Sequence, residues 1–90
     1  MNETTKITLV KNLDVTDLSG EKVMVDFETG KYFLLKGVAN DIWEYIQKPT
    51  TVKQIKEQLL CEYEVDEKTC LNEIIKFLTE LKSNEFIQLN

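Results

Sequence analysis

The spacing of apolar residues along this chain changes period at Gly37. Before it, Val23-Met24-Val25-Asp26-Phe27 alternates with period two and is rich in β-branched residues. Glu28-Thr29-Gly30 supplies a compact turn, and Lys31-Tyr32-Phe33-Leu34-Leu35-Lys36 resumes the extended pattern. Two such runs around a short glycine-containing turn form a β-hairpin. After Gly37, Val38, Ala39, Ile42, Trp43 and Ile46 recur with helical spacing. Strands followed by helices, rather than alternating with them, make an α+β chain. A lone hairpin is marginal, so a sheet of three antiparallel strands is expected.

The remaining elements follow from local signals. Ile7-Thr8-Leu9-Val10 is a short β-type run, residues 11–20 are polar, and residues 18–21 read as a turn. Pro49 lies just past the first helix, where a helix cannot continue. Thr51 and Gln54 have capping-box spacing, so a second helix starts near Val52 with Val52, Ile55 and Leu59 as its buried stripe. Asp66 is a good N-cap for a third helix, with Glu67 in its first turn. Phe86-Ile87-Gln88-Leu89 is a short extended tail. Trp43 lies on the apolar face of the first helix and reads as core.

The length of 90 residues corresponds to one domain over residues 1–90. Such a domain buries about 60–65% of its unfolded surface, leaving little for a deep enclosed active site. Histidine is absent, so histidine-based triads and metal sites are excluded. Cys61 and Cys70 alone cannot complete a four-ligand zinc site, and both read as small apolar residues. No phosphate loop or calcium-loop spacing is present. No metal and no cofactor are expected, and the chain reads as a non-enzyme. The net charge of −5, from 11 basic and 16 acidic residues, argues against nucleic acid and weakly favours a peptide or protein partner. No apolar run approaches the ~20 residues of a membrane span, so a cytoplasmic protein without membrane partners is expected.

Two features exceed what a plain core requires. In the second hairpin strand Tyr32 and Leu34 share one face while Phe33 and Leu35 share the other. Either that strand is sandwiched, or it is an edge strand whose second surface receives a ligand. In the third helix Phe77, Cys70, Leu81 and Ile74 fall within about 60°, and Leu78, Leu71 and Ile75 widen the arc by roughly 100°. A helix on a sheet needs an apolar stripe of only ~100°. The extra flank, Leu71 and Ile75 continued by Thr79 and Lys82, packs on another helix or forms one wall of a groove. An edge strand beside such a wall is a β-augmentation site.

The ordered set of segments resembles a known family. Val25-Asp26 with Thr29-Gly30-Lys31-Tyr32-Phe33-Leu34-Leu35 is similar to its hairpin, and Ala39-Asn40-Asp41-Ile42-Trp43-Glu44 to its first helix. Thr51-Val52-Lys53-Gln54-Ile55 and Tyr63-Glu64-Val65-Asp66 resemble the openings of its next two helices, and Phe77-Leu78-Leu81 with Phe86-Ile87 its close. This is the PqqD-like family, also called the RiPP recognition element. The resemblance covers about residues 18–89 and implies an α+β fold, a three-stranded antiparallel sheet packed on three helices, winged-helix-like. It implies binding of the leader of a ribosomally made precursor peptide as an added strand, and delivery to a modifying enzyme, either a radical SAM enzyme or a lasso-peptide leader peptidase/cyclase. The implied peptide-binding residues are Lys31, Tyr32, Phe33, Leu34, Leu35 and Lys36 with Leu71, Ile75, Leu78, Thr79 and Lys82.

A winged-helix DNA binder shares this element order but needs a positive recognition face. The third helix sets Glu67, Glu73 and Glu80 against Lys68, Lys76 and Lys82, which is neutral at best. A carrier protein with a modified serine would need another order than Asp17-Leu18-Ser19 and an all-helical fold.

Overall fold

The computed structural model of the chain describes residues 1–11, 13–19 and 21–90. In order, the elements are β1 (Lys6–Leu9), β2 (Asp14–Leu18), β3 (Glu21–Asp26), β4 (Lys31–Leu35), α1 (Val38–Tyr45), β5 (Thr50–Thr51), α2 (Val52–Glu62), α3 (Glu67–Ser83) and β6 (Ile87–Leu89). The architecture is α+β with three helices, as the change of period requires.

The hairpin forms as expected: β3 and β4 pair antiparallel from Asp26↔Lys31 to Lys22↔Leu35. Asp26, buried at the mouth of the loop, accepts from Glu28 N–H at 3.1 Å, from Thr29 Oγ1 at 3.0 Å and from Lys11 Nζ at 3.0 Å. The third strand of this sheet is β2, paired with β3 from Asp14↔Val25 to Leu18↔Glu21. The polar character of residues 11–20 concealed it. Asp14, Val15, Thr16 and Asp17 are all exposed, so main-chain pairing holds this edge strand without a buried face. The expected turn at residues 18–21 includes Gly20, which lies outside the described residues; Ser19 beside it has φ 52°.

The apolar run at Ile7 belongs instead to a second antiparallel sheet, ordered β5-β1-β6. Ile7 pairs with Thr50 on one side and Leu89 on the other, and Lys6 and Asn90 exchange N–H···O bonds of 2.9 Å. This sheet also completes the start of α2. Val52 and Lys53 donate their N–H groups to Thr5 and Glu3 carbonyls, and Gln54 N–H donates to Thr51 Oγ1 at 3.2 Å in a complete capping box. Three of the four N–H groups that a helix start leaves free are thereby satisfied. Lys56, one turn on, is buried between the carboxylates of Glu3 and Glu67, the latter at 2.7 Å. The apolar stripe does not reveal this buried cation.

The core gathers Ile42, Trp43 and Ile46 from α1, Val52, Ile55 and Leu59 from α2, and Cys70, Ile74, Leu78 and Leu81 from α3 over Ile7, Met24 and Leu35. Trp43 is a core residue, and so is Cys70. Cys61, read like Cys70 as a small apolar residue, is exposed. It falls on the solvent face of α2, one turn from neither Ile55 nor Leu59.

Two backbone reversals fix where α3 and β4 lie. Gly37, at φ 56° and ψ −129°, turns the chain out of β4, with Ala39 N–H donating to Lys36 O at 3.1 Å. That conformation belongs to glycine, and a Cβ there would meet no atom within 4 Å. Glu85, at φ 63°, ends α3: Phe86 N–H bonds Leu81 O and Glu85 N–H bonds Lys82 O, a Schellman turn built on a non-glycine residue. It drives Phe86 into the core, edge-on to Phe33 with ring centroids 5.4 Å apart.

Opposite outcomes are expected at these two reversals. Gly37→Ala should destabilise the domain by about 1–3 kcal/mol through strain alone. Glu85→Gly should stabilise it by about 0.5–1 kcal/mol, the relief of left-handed strain exceeding the extra chain entropy. Urea unfolding midpoints measure both, and equal effects would refute the backbone assignment. A second expectation concerns acid. Burial works against the charge on Asp26, but Lys11, Thr29 and Glu28 N–H outweigh it and hold the carboxyl below its ordinary range. Lys56 lowers Glu3 likewise, and Thr69 lowers Asp66. Depressed folded values mean the stabilisation is complete above about pH 4–5 and lost as pH falls through those values. Midpoints should therefore decline below about pH 4, and Asp26→Asn should flatten part of that decline.

Candidate functional site: a groove between the edge strand and the third helix

β4 is an outer strand of its sheet, and among the described residues no strand pairs with its second edge. In an antiparallel sheet every second residue of such a strand directs its N–H and C=O away from its neighbour. The two faces of β4 differ. Leu35 is buried and Phe33 half-buried, whereas Tyr32 is 70% and Leu34 49% exposed. The strand is not sandwiched, so its apolar outer residues face solvent.

The unpaired edge borders a groove of about 430 Å³, with α3 as the far wall. β4 contributes Tyr32, Phe33, Leu34 and Lys36, α1 contributes Ala39, and α3 contributes Glu73, Lys76, Phe77, Glu80 and Leu81. Phe33, Phe77, Leu81 and Ala39 are buried or half-buried and make an apolar floor; Glu73, Lys76 and Glu80 are exposed and make a charged rim. Lys31 Nζ donates to Asn84 Oδ1 at 3.2 Å and joins β4 to the end of α3. Lys36, at the other end of β4, pairs with Glu21 at 3.7 Å.

The groove lies on the opposite flank of α3 from the one the sequence suggested. Leu71, Ile75, Leu78, Thr79 and Lys82 do not line it. Leu78 is fully buried, Leu71 packs against the central cluster, and Lys82 borders the surface beside β6. Phe77, which periodicity assigned to the inward stripe, forms the floor with Leu81. The apolar arc of α3 extends to both sides of its inward stripe, and only the packed arrangement decides which side meets β4. On β4, the Lys31 and Leu35 side chains also lie outside the groove, Lys31 on Asn84 and Leu35 in the core. A large aromatic residue at the edge of the arc, one turn before Leu81, was the signal for Phe77.

A larger recess of about 490 Å³ lies between the end of α1 and α2, lined by Tyr45, Pro49, Ile55 and Cys61 among others. Its only strand residue is Thr50, from the two-residue β5, and Tyr45 is its single aromatic side chain. Burial, reinforced by the negative charges of Glu62 and Asp41, pushes the Tyr45 hydroxyl up to about 12, so it does not exchange a proton near neutrality. Burial likewise raises the Cys70 thiol. Among the described residues no cluster of three or more Cys, Asp or Glu side chains is placed to hold a metal ion. No described helix is long and apolar enough to cross a membrane.

Residues 21–87, from β3 to the start of β6, match the family described as coenzyme PQQ synthesis protein D (PqqD). The chain belongs to the PqqD family. No curated protein matches it. Among solved structures, TbiB1 in complex with the TbiA(β) leader peptide is 25% identical with a TM-score of 0.76, over 90% of this chain and 94% of that one. Lasso peptide synthetase B1 complexed with the leader peptide is 23% identical with a TM-score of 0.75, over 91% of this chain and 96% of that one. This PqqD-family chain shares the fold of these two over nine-tenths of its length.

The division of α3 into a groove flank and a core stripe has a measurable consequence for stability. Leu78→Ala empties a fully buried position and should cost about 2–5 kcal/mol. Phe77→Ala removes a half-buried ring at the groove and should cost clearly less than the ~3–5 kcal/mol of a core phenylalanine. Guanidinium unfolding of both variants checks this, and a larger loss at Phe77 than at Leu78 would place Phe77 in the core.

Proposed function

We propose that this chain binds the leader segment of a ribosomally synthesised precursor peptide as a strand added to β4, and presents it to a separate modifying enzyme. The observation that carries the reading is the unpaired edge of β4 facing an apolar groove walled by α3. Main-chain pairing along β4 supplies register and a sequence-independent part of the affinity, and alternate side chains of the added strand drop onto Phe33, Phe77 and Leu81. Phe77 and Leu81 are one helical turn apart, about 6 Å along α3. Same-face residues of a strand repeat every ~6.6 Å, so the floor suits two apolar side chains with one residue between them. Membership of the PqqD family supports the reading, as do the structural neighbours, each of which is complexed with a leader peptide.

The chain itself is a presenter and not a catalyst. The groove contains no nucleophile beside a base, and its only titratable side chains are Tyr32, Lys36 and the exposed rim charges. The partner is a leader peptidase/cyclase of the lasso type, in keeping with the neighbours, or a radical SAM enzyme. No observation favours DNA: the groove face of α3 carries Glu73 and Glu80 against Lys76.

Backbone amide shifts on titration with the cognate leader test the site. They should concentrate on residues 31–36 and on the Glu73, Lys76, Phe77, Glu80 and Leu81 flank of α3. Phe77→Ala should weaken binding by ten- to a hundredfold, since burying one apolar side chain contributes about 1.5–3 kcal/mol. Ile75→Ala and Thr79→Ala on the other flank should change it less than about twofold. A proline at Phe33 or Leu34 should abolish binding where it removes an N–H the peptide uses. The precursor's mass should stay unchanged with this chain alone. Shifts confined to α1 and α2, or a mass change without a partner enzyme, would overturn the proposal.

A further inference from the structure

We infer that the groove reads charge as well as apolar content: it selects a leader with an acidic side chain beside Lys76 and a basic one beside Glu80, two residues apart on the strand's solvent side. The inference rests on the groove being the leader site, and it assigns the α3 rim a specificity role.

Lys76 and Glu80 are exposed on the groove wall, and neither side chain joins an ion pair or hydrogen bond among the described residues. A lysine preceding a glutamate by four residues is the weaker order for pairing within a helix, so the two compensate each other little. Their spacing along α3 is about 6 Å. Alternate residues of a strand repeat every ~6.6 Å, so side chains at positions i and i+2 of an added strand come level with both. These are the positions that point away from the floor. On their other side lie Tyr32 and Leu34, 70% and 49% exposed, whose apolar surfaces suit the aliphatic stem of a long charged side chain.

The polarity of the two contacts follows from how the neighbouring lysines are committed. Lys31 is held by Asn84 at 3.2 Å, which shows that the start of β4 lies at the end of α3, near Glu80. The Lys31 amine is held on Asn84 and makes no ion pair with Glu80, which leaves the Glu80 carboxylate open to the groove. At the far end Lys36 pairs with Glu21 at 3.7 Å, and Glu73 stands on the rim nearby, so that end carries both signs and adds little preference. Whichever way the leader strand runs, its basic residue lies toward the Lys31 end of β4 and its acidic residue toward the Lys36 end.

The test uses the full chain, immobilised at low salt, with a display library of random peptides of about twelve residues as the probe. Wild type should enrich peptides with two apolar residues at i and i+2, interleaved with one acidic and one basic residue. The exchanged variant K76E/E80K keeps the net charge and should enrich the opposite charge order. A synthetic peptide selected on wild type should lose about two- to fivefold per contact on K76E/E80K, less at high salt. The same charge order on both chains, or no order on either, with capture abolished by Phe77→Asp, would overturn the charge inference while the leader groove stands. Capture indifferent to Phe77→Asp would overturn the groove reading and this inference with it.

Discussion

The rest of the molecule depends on how Phe86 is seated. The Schellman turn at Glu85 reverses the chain after seventeen residues of α3 and buries Phe86 completely against the edge of Phe33. The contact joins the end of α3 to the inner face of β4, and Lys31 with Asn84 fastens the same corner from outside. With that corner fixed, Leu81 and Phe77 face the flank of β4 and the helix cannot rotate its other flank toward the strand. A left-handed glutamate costs about 1–2 kcal/mol. The structure retains it where the reversal decides which side of α3 looks onto the open edge.

The open edge is itself a cost that a freestanding domain has reason to avoid. An unpaired strand beside exposed Tyr32 and Leu34 is a template for pairing with another chain. β2, at the opposite edge of the same sheet, is blunted by Asp14 and Asp17 and offers little apolar surface. β4 has no such protection along its middle three residues, and lysines stand only at its ends. The two edges of one small sheet thus differ, and the one that is apolar and uncharged along its middle is the edge to which we assign the added strand.

Much of this was legible in the residues. The change of period at Gly37, the Thr51/Gln54 capping box and the Asp66 N-cap placed all three helices, because each is a local rule that tertiary packing did not override. The two-faced character of β4 pointed to the groove from one side. β2 stayed hidden, because a strand whose residues 14–17 are all exposed shows no apolar alternation. The second sheet was equally hidden, since it joins residues near both ends of the chain through Ile7, Thr50 and Leu89. The helical wall was read on the flank of α3 that does not line the groove, for a different reason. A wheel gives the width of an apolar arc but not its hand relative to a distant strand, and Leu71 and Phe77 are equivalent until α3 is docked. Lys56 was missed because its burial depends on Glu3 and Glu67 arriving from two other segments.

A groove of this kind has a particular problem of specificity. Main-chain pairing with β4 is open to any extended peptide, and an apolar floor of four side chains distinguishes only size and greasiness. One methylene more or less in such a pocket changes binding by roughly 1–3 kcal/mol, too little to exclude most cellular peptides. Discrimination then requires groups that penalise the wrong peptide as well as reward the right one. In the proposed leader complex Lys76 and Glu80 are placed to act in that way. In the proposed complex a peptide with the reverse charge order meets a like charge at both Lys76 and Glu80, and sliding by one residue to escape them turns its apolar side chains away from Phe77 and Leu81. The floor and the rim therefore enforce a single register together, although neither is selective alone. A domain with little room for a deep pocket can in this way hold one segment of one peptide in a defined position for a separate enzyme.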